Sequence, residues 1–121
     1  MTEKKIHKQI TDFIKLQYPN LIFNTDASGI RLPMGQAIQL KRLRSGNGFP
    51  DITIYESNVK YSALFLEVKK ESPFKKDGKL KKSAHLQEQN LMHKRLRAKG
   101  YKVLFVWRLE QVIQVLKEYL K

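Results

Sequence analysis

Gly48-Phe49-Pro50-Asp51-Ile52-Thr53-Ile54-Tyr55 and Ala63-Leu64-Phe65-Leu66-Glu67-Val68-Lys69 are the two runs on which the reading of this chain turns. From Asp51 to Tyr55 the residues alternate with period 2, as a half-buried strand does. The second run is almost continuously apolar, the pattern of a strand covered on both faces. Glu56-Ser57-Asn58-Val59-Lys60 supplies the turn between them. A hairpin folded symmetrically about Val59 sets Asp51 beside Glu67. Glu67 and Lys69 are two residues apart, so they project from one face of the strand, ~7 Å from each other along it. Both follow four apolar residues, and a charge rising from that depth needs a partner or a metal.

Outward from the hairpin the elements read as follows. Ile6, Ile10, Phe13 and Ile14 recur at helical spacing and predict a helix over residues 3–17. Pro19 stops it, because the residue before proline is driven from the α region. Leu21-Ile22-Phe23 reads as a short strand and Asn24-Thr25-Asp26-Ala27-Ser28-Gly29 as a turn. Residues 35–43 read as a short helix carrying Lys41, Arg42 and Arg44, with a Ser45-Gly46-Asn47-Gly48 loop after it. Lys69 to Lys82 holds seven lysines and two acids and reads as a loop around Asp77-Gly78. Ser83 is placed to cap a helix that runs to Lys99 and closes at Gly100. Lys102 to Trp107 is a second buried strand, and Val112, Val115, Leu116, Tyr119 and Leu120 mark a final amphipathic helix. The order α-β-(α)-β-β-α-β-α describes one α/β domain over residues 1–121, a central mixed sheet flanked by helices.

Composition limits the chemistry. The chain has no cysteine, which removes disulfides, thiolate metal sites and cysteine nucleophiles together. His7, His85 and His93 are spread along the chain, which argues against a multi-histidine zinc site. No apolar run approaches the ~18 residues of a membrane span, and the amino-terminal segment is polar rather than a signal sequence. The expected setting is therefore soluble and intracellular, without a membrane partner. Lys and Arg number 24 against 11 Asp and Glu, a formal charge of +13. Residues 60–102 concentrate it, with 13 basic and 4 acidic side chains. A clustered excess of this kind is the footprint of a polyanion binder. Gly46-Asn47-Gly48 lacks the Lys-Ser/Thr of a phosphate-binding P-loop, so nucleotide hydrolysis is not indicated.

Asp51, Glu67 and Lys69 would gather at one end of the sheet. Adjacent carboxylates repel unless a cation lies between them, and Mg²⁺ suits a site of few carboxylates, several waters and a phosphate oxygen. An ordinary salt-bridge cluster at a sheet rim fits the same spacing. On the helix over residues 83–99, Leu86, Gln89, His93 and Leu96 share a face. A glutamine in an apolar stripe must find partners for its amide; Gln87 points elsewhere, and His93 reads as a core or rim histidine.

Gly48-Phe49-Pro50-Asp51 followed by Glu67-Val68-Lys69 resembles the PD-(D/E)xK nuclease motif, and the element order looks like the restriction-endonuclease-like core. More narrowly, the chain resembles the VRR-NUC domain, found alone in phages and bacteria and at the end of the Fanconi-associated nuclease. Four features in order carry this: the Gly-x-Pro-Asp turn, the apolar strand ending Glu-Val-Lys, the helix that contains Gln89 and leads to Gly100-Tyr101, and a first helix opening with Glu3. The resemblance spans nearly the whole chain.

The resemblance implies a Mg²⁺- or Mn²⁺-dependent deoxyribonuclease, a hydrolase of DNA repair or recombination. Asp51 and Glu67 would hold the metal with the Val68 carbonyl. Glu3 would join them, although the helix dipole alone explains an acid in a first turn. Lys69 would position the attacking water and steady phosphate charge, and Gln89 would assist at the same site. Lys70, Lys75, Lys76, Lys79, Lys81 and Lys82 would track phosphates, as would Arg42 and Arg44. With no further domain in the chain, the stand-alone type is expected: a homodimer cutting branched DNA, four-way junctions or flaps, in a bacterial or phage-infected cytoplasm. The face of the carboxy-terminal helix is the candidate dimer surface. The competing expectations are a non-catalytic nucleic-acid-binding module and a subunit of a larger DNA-processing complex.

Overall fold

The computed structural model describes residues 1–26 and 31–121. Its elements are α1 (Glu3–Gln17), β1 (Phe23–Thr25), α2 (Met34–Arg42), β2 (Ile52–Ile54), β3 (Leu64–Val68), α3 (Ala84–Ala98), β4 (Lys102–Val106) and α4 (Leu109–Tyr119). The sheet runs β1-β2-β3-β4, antiparallel at the first two junctions and parallel at the third. The expected mixed sheet with flanking helices is therefore present, in the expected order. No helix among the described residues is long and apolar enough to cross a membrane.

The hairpin closes as the sequence predicts. Ile52 faces Leu66, Thr53 faces Phe65 and Ile54 faces Leu64, so the register is symmetric about Val59 and carries Asp51 to the level of Glu67. Asn58 fixes the connection, its Oδ1 accepting from the N–H groups of Lys60 and Tyr61. Because successive strand residues alternate faces, β3 divides cleanly. Leu64, Leu66 and Val68 join Ile6, Ile10 and Ile14 of α1 and Val112 and Leu116 of α4 in one core. Burying each such side chain contributes roughly 1.5–3 kcal/mol. Phe65, Glu67 and Lys69 point to the other face. There α3 packs against β4, and Arg97 donates to the Val103 carbonyl at 2.9 Å.

Several expectations need correction. The first strand lies at Phe23–Thr25 rather than at 21–23: Phe23 pairs with Ile54 and packs on the core, while Ile22 is left exposed. Asn24 and Thr25 are turn formers by composition, but an edge strand tolerates them because only one of its sides must pair. Ala27, Ser28 and Gly29 of the expected turn lie outside the described residues. The final helix is not a free surface. Val112, Leu116 and Tyr119 are buried, and Tyr119 donates its hydroxyl to the Glu56 carbonyl at 2.6 Å while its own carbonyl accepts from Asn58 Nδ2. Its apolar width is used within the chain.

The lysine-rich segment is an ordered hairpin. Phe74 bridges to Leu80, Lys75 N–H donates to the Lys79 carbonyl, and Lys81 N–H donates to the Pro73 carbonyl. Asp77 accepts from Lys79 N–H across the turn, and Gly78 takes a φ of +83°. At the helix that follows, Ser83 Oγ accepts from Leu86 N–H, and Gly100 at φ +92° ends the run, as the sequence predicts.

Gly48 positions the Asp51 turn. Its φ is +82°, and a Cβ there would stand 2.8 Å from the Glu88 carbonyl oxygen and 3.0 Å from Gln89 Cα. The turn thus lies directly on the backbone of α3. Gly78 has the same φ with open space around it. Gly78→Ala should cost about 1–2 kcal/mol, the strain of a left-handed residue alone. Gly48→Ala should cost measurably more in denaturant unfolding, because the turn must also lift from α3; equal losses would show that the turn has room to move.

Candidate active site

A cleft of ≈ 990 Å³ opens where the amino-terminal turns of α1 and α3 meet the Asp51 turn and the end of β3. Glu3, Asp51, Glu67, Val68 and Gln89 all line it. Residues read from four separate stretches of sequence are thus brought to one place by the sheet and its two helices. Asp51 Oδ2 accepts from Val68 N–H at 2.7 Å, which locks the turn to the end of β3. Asp51 C=O accepts from Asp26 N–H, which ties the same turn to β1's far end.

Glu67 is 2% exposed. Burial, together with the Asp51 carboxylate and a hydrogen bond shared with it, pushes its pKa up to about 10, while the Lys69 ammonium pulls the other way and Glu3 adds a little to the rise. Its Oε1 lies 3.0 Å from Nε2 of His93, which is fully buried on α3. Burial and the cations Arg97 and Lys69 push the His93 pKa down to about 4. The two therefore meet with His93 neutral and Glu67 protonated, sharing one proton between Nε2 and Oε1. The other ring nitrogen, Nδ1, is buried with no hydrogen-bond partner. A core or rim histidine is what the sequence predicts at position 93, and it is buried, but the bond to Glu67 is not part of that expectation. The signal was available: His93 stands one helical turn after Gln89, on the face that meets the acidic strand.

Gln89 is 6% exposed, and its Oε1 is buried with no hydrogen-bond partner. A buried carbonyl oxygen left alone costs about 1–3 kcal/mol, so this atom is an acceptor available to a cation, a water or a donor entering the cleft. Among the described residues no three His, Asp or Glu side chains converge into a ready-made metal cage. A hard divalent cation such as Mg²⁺ does not require one; it is bound through one or two carboxylates with waters and phosphate oxygens. Two carboxyl groups, one of them held protonated by burial and by the other's charge, in one cleft with an orphaned amide oxygen fit such a cation.

The basic residues divide into two sets. Lys4, Lys8, Arg31, Lys41 and Arg44 line the cleft. Of these the sequence reading named only Arg44 as a phosphate contact, and the structure commits one of its guanidinium nitrogens to Asp26 at 2.6 Å in a partly buried pair. Glu3, His7 and Thr11 stand at helical spacing with Lys4 and Lys8 beside them, so a polar stripe of α1 faces the cleft; its period was readable in the sequence. Lys70, Lys75, Lys76, Lys79, Lys81 and Lys82 do not line the cleft. They are exposed on the 70–82 hairpin, and Arg42 is exposed at the end of α2. Lys69 is not among the residues that line the cleft, but its charge acts on both Glu67 and His93.

No family profile matches the sequence, and no curated protein matches it. Among solved structures, one described as a VRR_NUC domain protein superposes with a TM-score of 0.72 over 99% of this chain and 88% of its own, at 20% sequence identity. The chain therefore has the fold of that protein.

The Glu67 shift has a sign that can be measured. Folded Glu67 keeps its proton to about pH 10, whereas the exposed side chain ionises near 4.5. The contribution to stability is full below the lower value and is lost as pH rises toward the upper one. His93 works oppositely, between its ordinary 6.5 and about 4, and is silent above neutrality. Between pH 7 and 9, in chelator, the melting temperature of the chain should fall, and Glu67→Gln should flatten that fall. The same slope in both proteins would remove Glu67 as its source.

Proposed function

We propose that this chain is a Mg²⁺- or Mn²⁺-dependent DNA endonuclease that hydrolyses phosphodiester bonds. The observation that carries the reading is the pairing of Asp51 with buried Glu67 at the floor of a cleft whose rim is cationic. A surface that only bound DNA would gain nothing from two acids aimed at phosphate. Asp51, Glu67 and the Val68 carbonyl are the groups assigned to the metal, with Glu3 at the mouth and Gln89 Oε1 as a further acceptor. When bound, the ion supplies an acidified water and charge to draw the scissile phosphate.

The protein's own groups do the rest. The 3.0 Å hydrogen bond between His93 Nε2 and Glu67 Oε1 holds that side chain in place, so it has one orientation to offer. Lys69, rising from the same strand face two residues on, steadies the charge that grows on the phosphate and orients the water. Lys4, Lys8, Arg31 and Lys41 draw the strand into the cleft, and the hairpin lysines follow its backbone. No reader of base edges is apparent in these elements, so selectivity rests on backbone and shape. Branched DNA, a four-way junction or a flap, is the substrate class we assign. A homodimer is the assembly that would cut it in pairs. With α4 used internally, α2 remains for that contact: it buries no residue and exposes Met34 and Ile38. Light scattering with and without a four-way junction tests the assembly.

Incubation with linear, flap, splayed and four-way DNAs in Mg²⁺, Mn²⁺ or EDTA tests the activity. Cleavage should appear with either metal and vanish in EDTA. Asp51→Ala, Glu67→Ala and Lys69→Ala should each abolish it with the fold intact by circular dichroism, while metal-free DNA binding persists or tightens on loss of a carboxylate. Cutting by Glu67→Ala at the parental rate would overturn the assignment.

Salt dependence tests the cationic hairpin. Each phosphate neutralised on duplex DNA contributes about −0.9 to the slope of log K against log salt. Replacing Lys75, Lys76, Lys79 and Lys81 together by Ala should make that slope shallower by one or more such steps and weaken all sequences alike. An unchanged slope would mean that the hairpin stands away from the DNA.

A further inference from the structure

The 70–82 hairpin is anchored by one aromatic ring among its lysines. Phe74 makes edge-to-face contacts with Phe105, at 5.9 Å between centroids, and with Trp107, at 6.2 Å. It is nevertheless 36% exposed, and Trp107 is only partly buried. Beyond the end of β4, Trp107 is held by its backbone, its N–H donating to Gln111 Oε1 at 2.7 Å. The strand register relates this pair of rings to the cleft. Glu67 is level with Phe105 and Val68 with Val106, and Lys69 N–H donates to the Val106 carbonyl. Lys69 and Trp107 are the residues that directly follow the last pair of this parallel ladder. His93, bonded to Glu67, lies 4.6 Å from the Phe105 ring. The exposed Phe74 ring and the partly buried Trp107 ring thus connect to the acidic site through Phe105 and His93. Lys70, Lys75, Lys76, Lys79, Lys81 and Lys82 are exposed on the same hairpin as Phe74, and none of the six is in an ion pair among the described residues.

Packing of the hairpin requires an apolar anchor, but it does not require that anchor to keep a third of its surface in water beside a second open ring. Fixed aromatic faces inside a field of free lysines are what a single nucleic-acid strand uses: bases stack on the rings and phosphates meet the cations. Duplex DNA cannot use the rings, because its bases are already stacked. We propose that Phe74 and Trp107 form a stacking platform for an unpaired base of a DNA strand. Its placement next to the scissile phosphate rests on the nuclease reading above; the stacking itself does not. The platform gives this site a preference for DNA with a single-stranded segment at the cut, as flaps and opened junctions have.

Trp107 is the chain's single tryptophan, so its emission reports on the platform directly. The full chain in EDTA is titrated with an oligothymidylate and with an abasic oligonucleotide of equal length, which carries the same phosphates and no bases. The thymidylate should quench Trp107 and bind more tightly, by about 5- to 150-fold for each base stacked. Phe74→Leu, which keeps an apolar anchor for the hairpin, should lose most of that difference and keep the salt dependence of the parent. Equal affinity and equal quenching with the two oligonucleotides would overturn the platform, as would a Phe74→Leu protein that discriminates as well as the parent. Metal-dependent cleavage, assayed separately, reads the nuclease assignment. Cleavage without base discrimination removes the platform alone. Base discrimination without cleavage leaves the platform and removes the enzyme.

Discussion

A carboxylate has been placed where water does not reach, and most of the architecture around β3 answers to it. Glu67 is fixed on the face of the sheet opposite the main core by strand alternation, at a position fed by four apolar residues. An isolated charge there would be prohibitively costly. The fold meets this by keeping Glu67 protonated, with His93 Nε2 on one side and the Asp51 carboxyl on the other. Both partners impose geometry. His93 requires α3 to present one face to the sheet, and Asp51 requires the Gly48–Asp51 turn to lie flat on that helix, at a separation that only glycine permits. The resulting arrangement remains incompletely satisfied, with Gln89 Oε1 and His93 Nδ1 unpartnered. Unmet polar capacity next to a cleft is a mark of a site arranged for something to enter.

The two faces of the sheet divide the labour. On the side of α1 and α4 the contacts are isoleucine, leucine and valine, and α4 is further pinned by Tyr119 to the hairpin connection. That side supplies stability without polar compromise. The α3 side carries the acids, the buried histidine and the amide, with Met92, Val103 and Phe105 as its apolar filling. The polar groups can be spared full satisfaction there because the opposite core holds the strands in register.

Charge follows the same division at larger scale. Asp51 and Glu67 sit at the cleft floor, Glu3 at its mouth, and the cations at its rim and on the hairpin, within a chain of net charge +13. At physiological salt a field of this kind is screened beyond about 8 Å, so the rim acts on what is already in the cleft, while the hairpin extends the cationic surface past it. The partly buried Arg44–Asp26 pair belongs to neither role: it clamps the segment after α2 to the end of β1.

The sequence by itself determined what is local or repetitive. The periods of α1, α3 and α4, the Ser83 cap, the Gly100 stop and the hairpin centred on Val59 were all readable, because each depends on neighbours within a few residues or on a turn that sets strand register. From that register alone Asp51 and Glu67 could be paired. Contacts between distant segments were decided only by the tertiary structure. The bond from Glu67 to His93 spans 26 residues, and no periodicity reveals which buried group a histidine meets. The burial of α4 depended on how wide an apolar face α1 and the sheet would offer, and the order of the lysine-rich hairpin depended on a ring of β4 standing beneath Phe74. The edge strand moved to Phe23–Thr25 because Ile54 needed a partner that could also reach the core. Local backbone preference is written into each segment, whereas the partner of a side chain is fixed only when separate segments are packed into the same volume.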